Sequence, residues 1–190
     1  MERELLMTGI GGQGVQLATQ VLARALTLEG RYVMSLGTYA GSMRGANTDT
    51  SLVYADAPIS TPPIVARAWS AVAMHHRFWG DMKSKLAEGG LLLANAPVVE
   101  RDGDVDRFDY VEIPAVAIAT GLGAALGAAM VMIGAYARMT SAVSIDSLRQ
   151  AMAQSLPPYR QKHVASNIAM LEAGYAHVAQ PLHSAWEAAR

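Results

Sequence analysis

Gly9-Ile10-Gly11-Gly12-Gln13-Gly14 is the stretch whose reading decides the fold. Glu4 to Ile10, before it, is apolar enough for a buried strand. After it, from Gln13 to Glu29, Val15, Ala18, Val21, Leu22, Ala25 and Leu26 recur at helical spacing. Gly30 stops that helix, and Arg31 to Leu36 reads as a second strand. This βαβ opening favours parallel pairing of the two strands and a right-handed crossover. Gly9, Gly11 and Gly14 fit the spacing G-x-G-x-x-G between a strand and a helix. Such a turn aims free amides and the positive end of a helix dipole at one spot, which suits a phosphate or a carboxylate.

Outward from the turn, residues 37–46 read as a loop of glycine and small residues, and Thr48 to Ala55 as a third strand. Ala57-Pro58 through Pro62-Pro63 excludes helix interior. Ala68 to Met74 predicts a fourth strand, followed by a helix to about Glu88 that Gly89-Gly90 ends. Leu91 to Asn95 and Tyr110 to Ile113 read as two more strands. From Pro114 onward the pattern is helical, in pieces near 114–121, 124–139, 144–155 and 160–178, with Ser144 as an N-cap. The expectation is a three-layer α/β fold on a mostly parallel, Rossmann-like sheet with a helical C-terminal third. One domain is expected over 1–180, with a tail over 181–190.

Composition narrows the function. Hydrophobic residues make up 52% and charged residues 16%, which leaves little polar surface and implies that a partner covers some apolar area. The formal net charge is -1 and Lys and Arg do not cluster, so neither nucleic acid nor an anionic membrane is an expected partner. With no cysteine, the chain makes no thiolate nucleophile, disulfide or thiolate-ligated iron–sulfur cluster. The charged start Met1-Glu2-Arg3-Glu4 lacks a secretory pattern, which makes a cytoplasmic location the expectation. Ile113 to Ala137 carries no charge and is long enough to span a bilayer. Its Ala, Gly and Pro content reads instead as two small-residue helices packed in a protein interior, and Gly123-xxx-Gly127 would admit another backbone closely.

A dinucleotide site makes a specific demand. The second strand should end in an acid that holds ribose hydroxyls. Here it ends Met34-Ser35-Leu36-Gly37, and Glu29 stands at the wrong end. Other residues stand out singly. Arg44 lies in a glycine-rich loop, where its fork of donors suits a carboxylate or phosphate or anchors an interface. Gln13 orients a ligand or pins the second loop, and Asn95 caps a turn or faces a ligand at a strand's carboxyl end. His75-His76 lacks a third ligand at useful spacing and reads as structural, facing apart; His163, His177 and His183 read as surface. Asp49, unusual in a strand, faces an interface or caps the loop. Met130, Met132 and Met139 read as core or partner-facing.

The motif Gly9-Ile10-Gly11-Gly12-Gln13-Gly14-Val15 resembles the opening of the gamma subunit of 2-oxoacid:acceptor (ferredoxin) oxidoreductases, the pyruvate/ketoisovalerate oxidoreductase catalytic domain family. Later landmarks agree in order. Tyr39 to Ala46 resembles that family's second loop, Tyr-Gly-Pro-Glu-x-Arg-Gly-Gly. Ala57-Pro58-Ile59 resembles its Glu-Pro-Ile turn, and Gly89 to Asn95 its Gly-Gly-Leu-Leu strand with terminal Asn. Val111 to Ala117, Met130 to Ala135 and Asn167 to Gly174 also match family segments, so the resemblance spans about 4–178. Gly41-Ser42 replaces Pro-Glu of the second loop, Ala46 the last Gly, and Ala129 the Asn before Met-Val.

The resemblance implies a multi-subunit enzyme that oxidatively decarboxylates a 2-oxoacid to an acyl-CoA and passes electrons to ferredoxin. Thiamine diphosphate and iron–sulfur clusters would sit in the partner alpha and beta subunits, with delta where present. This chain would carry no catalytic residue and no metal of its own. It would be a structural and docking subunit, with CoA a candidate co-substrate near it and a homodimer a candidate state when isolated. Its ligand-binding or loop-anchoring residues would be Gly9, Gly11, Gly12, Gln13, Gly14, Tyr39, Arg44, Gly45 and Asn95. Two other classes stay open on residues alone: a stand-alone dinucleotide-binding oxidoreductase, and a non-enzymatic scaffold that dimerises through the Gly/Ala-rich helices.

Overall fold

The computed structural model describes residues 1–39, 45–60 and 62–187, the side chain of Tyr39 excepted. Six strands and six helices follow in the order β1 (Glu2–Ile10), α1 (Val15–Leu28), β2 (Tyr32–Tyr39), β3 (Asn47–Ala55), β4 (Ala68–Ala73), α2 (His76–Lys83), β5 (Leu86–Asn95), β6 (Asp109–Ile113), α3 (Ala115–Gly121), α4 (Ala128–Thr140), α5 (Ile145–Ser155) and α6 (Val164–His177). The sheet order is β2-β3-β1-β4-β5-β6.

The α/β class is as expected, but the opening strands do not pair. β3 lies between β1 and β2 and is antiparallel to both, in register from Glu2↔Ala55 to Ile10↔Asn47 on one side and from Tyr32↔Ala55 to Tyr39↔Thr48 on the other. The short connection 40–46 allows a hairpin-like return, whereas a parallel neighbour would need a full crossover. β1/β4, β4/β5 and β5/β6 are parallel, so the sheet is mixed. A second difference lies before β5. The helix after β4 stops at Lys83, not near Glu88, because Leu86 to Glu88 already belong to β5. Gly89, at φ 66°, carries a bulge between the pairs Ala68↔Leu86 and Ser70↔Leu91. The glycines bend a strand rather than end a helix.

The two faces of the sheet are covered unequally. Leu5, Met7, Leu52, Tyr54, Leu91 and Leu93 face the larger core, shared with α1 and α3 to α6. Leu6, Ala71, Ala73, Leu92 and Ala94 face a smaller one, closed by Trp79 and Met82 of α2 and by Val105 and Phe108. α4 is buried on nearly every side, which accounts for the charge-free stretch in the sequence. No helix among the described residues is long and apolar enough to cross a membrane. The close backbone approach expected at Gly123 and Gly127 occurs elsewhere. A Cβ on Gly174 would lie 1.9 Å from the Val131 carbonyl oxygen, and one on Gly134 would lie 2.0 Å from that of Leu171. These reciprocal glycines let α4 and α6 touch backbone to backbone. Gly123 has open space around it, and Gly127 faces the side chain of Met170.

Beyond α6 the chain is held down beside the start of β1. Arg3 Nε donates to the Ala185 carbonyl (3.0 Å), and Trp186 Nε1 donates to that of Ala142 (3.1 Å). The Arg31 guanidinium stacks 3.8 Å from the Trp186 ring centre. His183 is tied to Asp109 and meets Trp69 edge-on, so it is a packing residue rather than a free surface histidine. Ser144 caps α5 as expected, its Oγ accepting from Ser147 N at 3.2 Å.

Candidate functional site

Open α/β sheets place ligands outside the carboxyl ends of their parallel strands. Here that rim is formed by the ends of β1, β4 and β5 and by the start of antiparallel β3. The glycine turn occupies its centre. Gln13 N closes the turn on the Ile10 carbonyl (3.1 Å). Gly12 at φ 101° and Gly14 at φ 80° take the left-handed region, where a side chain would be strained. Gly14 then serves as the N-cap of α1 and offers no side-chain cap.

Gln13 is the keystone of the turn. Its Oε1 accepts from Ile10 N (2.9 Å), and its Nε2 donates to the Met74 carbonyl (3.4 Å) at the exit of β4. The amide folds back over Gly9, where a Cβ would stand 2.6 Å from Oε1. Gly9 is therefore glycine to make room for Gln13. Among the described residues the bond that holds the second loop comes from Gly11 N, which donates to the Ala46 carbonyl (2.8 Å), while Gln13 binds Ile10 and Met74. Gly45, at φ 86°, turns the chain into that contact. Tyr39 ends β2 opposite Thr48, and Arg44 lies outside the described residues.

Asn95 joins the same knot from the other side. Its Nδ2 donates to the Met74 carbonyl (3.2 Å), while its Oδ1 is buried without a partner among the described residues. Its side chain is fully buried, so it ties the exits of β4 and β5 rather than caps a turn. One carbonyl, that of Met74, thus gathers Gln13 and Asn95 and sets the turn against two strand ends.

Two residues at this rim, Thr8 and Asn47, escaped the sequence reading, and both hold Asp49. Thr8 Oγ1 donates to Asp49 Oδ1 (2.5 Å), and Asn47 Nδ2 donates to Asp49 Oδ2 (2.7 Å). Thr8 and Asp49 face each other across β1 and β3. Within the chain Asp49 accordingly acts as a strand-to-strand lock. A polar residue at an alternate position in each of two paired strands was the available signal, but their adjacency depends on β3 inserting beside β1. Thr8 is fully buried, which removes its hydroxyl from nucleophilic chemistry.

His75 and His76 do not splay. Their rings stack with centres 4.5 Å apart. His75 Nδ1 accepts from Arg77 N (3.2 Å) and so caps α2, while His76 Nδ1 meets the Val98 carbonyl (3.1 Å). Burial, with the His76 ring and Arg77 beside it, holds His75 below the ordinary histidine range. The ring is therefore neutral at neutral pH, as an acceptor cap requires. Among the described residues no group of three or more His, Asp or Glu could hold a metal.

Chemically the rim is an assembly of backbone donors. Gly11 N and Gln13 N are used internally, whereas Gly12 N, Gly14 N and the amides of Val15, Gln16 and Leu17 have no protein partner among the described residues. α1 carries no acid in its first turn to neutralise them. The arrangement suits an anion or a partner's carbonyl groups. Among the described residues it offers no accessible base and nucleophile in contact.

The sequence pattern of the pyruvate ferredoxin/flavodoxin oxidoreductase family matches residues 4–177. The chain is 31% identical to the 2-oxoglutarate synthase subunit KorC of Methanothermobacter marburgensis, over 92% of this chain and 95% of that one. It is 30% identical to the subunit of the same name in Methanocaldococcus jannaschii, over 83% and 85%. Its fold is similar to the crystal structure of the gamma subunit of the keto/oxoacid ferredoxin oxidoreductase from Geobacter sulfurreducens, with a TM-score of 0.79 at 22% identity, over 93% of this chain and 95% of that chain.

Proposed function

Because the chain belongs to the pyruvate ferredoxin/flavodoxin oxidoreductase family, we propose that it is the gamma-type subunit of a cytoplasmic 2-oxoacid:ferredoxin oxidoreductase. In this reading the enzyme decarboxylates a 2-oxoacid oxidatively to an acyl-CoA, and this chain is its docking and structural subunit. The observation that carries the reading is the rim. A turn with the family's spacing is locked by Gln13, Met74 and Asn95, yet its outward amides remain free of protein partners among the described residues. A rigid, donor-rich rim suits docking against other subunits better than chemistry of its own.

Thiamine diphosphate and iron–sulfur clusters belong in this reading to alpha and beta subunits, and to a delta subunit where one exists. A chain without cysteine supplies no thiolate to a cluster. CoA is the natural anionic visitor to the rim, with the amides of Gly12 and Gly14 and the Arg44 guanidinium as its contacts. The dinucleotide alternative loses its geometric basis, because β3 and not β2 stands beside β1. The position where a ribose-binding acid would end a neighbouring parallel strand is taken by the start of an antiparallel one. Dimerisation through the Gly/Ala-rich helices is disfavoured too, since α4 and the contact glycines are consumed inside the fold.

Co-purification tests the reading. Tagged chain expressed with the alpha and beta subunits is expected to elute as a stoichiometric complex, and the chain alone to be inactive toward 2-oxoacids. In that complex Arg44→Ala is expected to raise the KM for CoA while leaving that for the oxoacid unchanged. Tight nicotinamide or flavin binding by the isolated chain would overturn the assignment.

A further inference from the structure

β2 is an edge strand. It pairs with β3 along its whole length, and its other edge pairs with nothing among the described residues. Exposed edges are usually blunted by charge, proline or a bulge, because their unpaired amides and carbonyls recruit other strands. β2 has none of these. It reads Tyr-Val-Met-Ser-Leu-Gly-Thr-Tyr, and its register against β3 is unbroken.

Its alternation says what would fit beside it. Tyr32, Met34 and Leu36 stand on the sheet face that α2 covers further in, and there they are 47%, 37% and 46% exposed. Ile64, 76% exposed, lies next to Leu36 around a cavity of about 230 Å³ that Leu6 and Met82 also line. On the opposite face Val33 and Ser35 floor an open groove of about 690 Å³ beneath Gln20, Arg24 and Gln154. A strand added at this edge meets no charge from β2 itself. It must set large apolar side chains on the first face and small ones on the second. β2 itself has that pattern.

We propose that a second copy of this chain docks edge to edge through β2, antiparallel about a two-fold axis perpendicular to the sheet. That axis keeps each face on its own side, so even-numbered residues stand opposite even-numbered ones. Centred on Ser35, it sets Met34 opposite the partner's Leu36 and Tyr32 opposite the partner's Thr38. The apolar rows of both copies become one, and β2 itself brings no charge to the axis. Seven paired residues with three apolar side chains cover about 500 Å² per copy, below the ~800 Å² of a standard interface, so the pair belongs to the weak associations. The proposal is independent of the oxidoreductase reading, since its tests need no activity.

Sedimentation velocity of the full chain over micromolar to sub-millimolar concentrations should show a reversible monomer–dimer equilibrium. The double variant Met34→Lys, Leu36→Lys changes only exposed positions. It should keep its melting temperature and weaken association by about a hundredfold, from the lost apolar burial alone. The chain has no cysteine, so a single introduced thiol reports its neighbour without ambiguity. Ser35→Cys should oxidise to a covalent dimer, whereas Leu126→Cys, on a residue 82% exposed between α3 and α4, should not. A monomer at every concentration, a dimer that survives the two lysines, or equal cross-linking at both thiols would overturn the proposal. Capture of Ser35→Cys on a different polypeptide of the assembled enzyme, with the isolated chain monomeric, would assign the edge to that polypeptide and overturn it equally.

Discussion

Alanine at two helical glycines should act in opposite directions. At Gly174 the new Cβ would lie 1.9 Å from the Val131 carbonyl oxygen and 2.7 Å from its carbon. Ordinary contact begins at 3.4 Å, so α4 and α6 would have to separate by about 1.5 Å, with backbone on both sides and no flexible side chain to yield. Overpacking of a tight core costs about 1–3 kcal/mol, and a backbone clash belongs at the top of that range. Against this, alanine gains up to about 1 kcal/mol over glycine in helix propensity. The net expectation for Gly174→Ala is a loss of about 2 kcal/mol or more. Gly80, in α2, has open space where its Cβ would go, so Gly80→Ala should gain up to about 1 kcal/mol. Urea unfolding of the two variants beside the wild type, compared at equal m-value, measures both. If Gly174→Ala unfolds within 0.5 kcal/mol (about the scatter of neutral surface substitutions) of the wild type, the close α4–α6 crossing is refuted.

Other outcomes follow from the same geometry. Gln13→Leu removes the acceptor for Ile10 N and a long bond to the Met74 carbonyl, which Asn95 still serves. It should cost about 1–2 kcal/mol in urea unfolding and speed hydrogen exchange at Ile10. His75 is depressed in the folded chain, so its contribution to stability is fully present above the ordinary histidine range and is lost as pH falls through the folded value. Replacing it with Asn, an equally good cap without a titrating ring, should flatten that part of the stability–pH curve. Burial pushes the Glu29 carboxyl up, but hydrogen bonds from Ser147 and from the backbone and side chain of Ser144 together hold it below its usual value. Glu29→Gln should therefore weaken the fold at neutral pH and lose that effect in acid, as seen in paired melts. Trp186→Ala forfeits the Arg31 stack, the Tyr54 edge contact and the bond to Ala142. A loss of about 2–4 kcal/mol by chemical denaturation is expected.

Strand and helix identities were legible where the pattern was local. The glycine turn, α1, the apolar core of β5 and the capped α5 could all be read from periodicity and punctuation. Pairing was not legible, because the place of β3 depends on the return path of the chain and not on its own residues. That single insertion hid the Thr8–Asp49 lock and separated β2 from β1. Gly89-Gly90 misled for a related reason, since a strand bulge and a helix stop use the same residue for the same positive φ. The site was half readable. Gly11, Gly12 and Gly14 follow from turn geometry, but the hold of Gln13 and Asn95 on one carbonyl depends on β4 lying beside β1.

The central claim is that this chain works only as part of a larger oxidoreductase. CoA-dependent reduction of ferredoxin by a 2-oxoacid, measured on purified alpha and beta subunits with and without this chain, tests it most directly. The account predicts that full turnover requires the chain and that titrating it in saturates at one chain per alpha–beta unit. Equal turnover without it, or 2-oxoacid oxidation by the chain alone, would contradict the account.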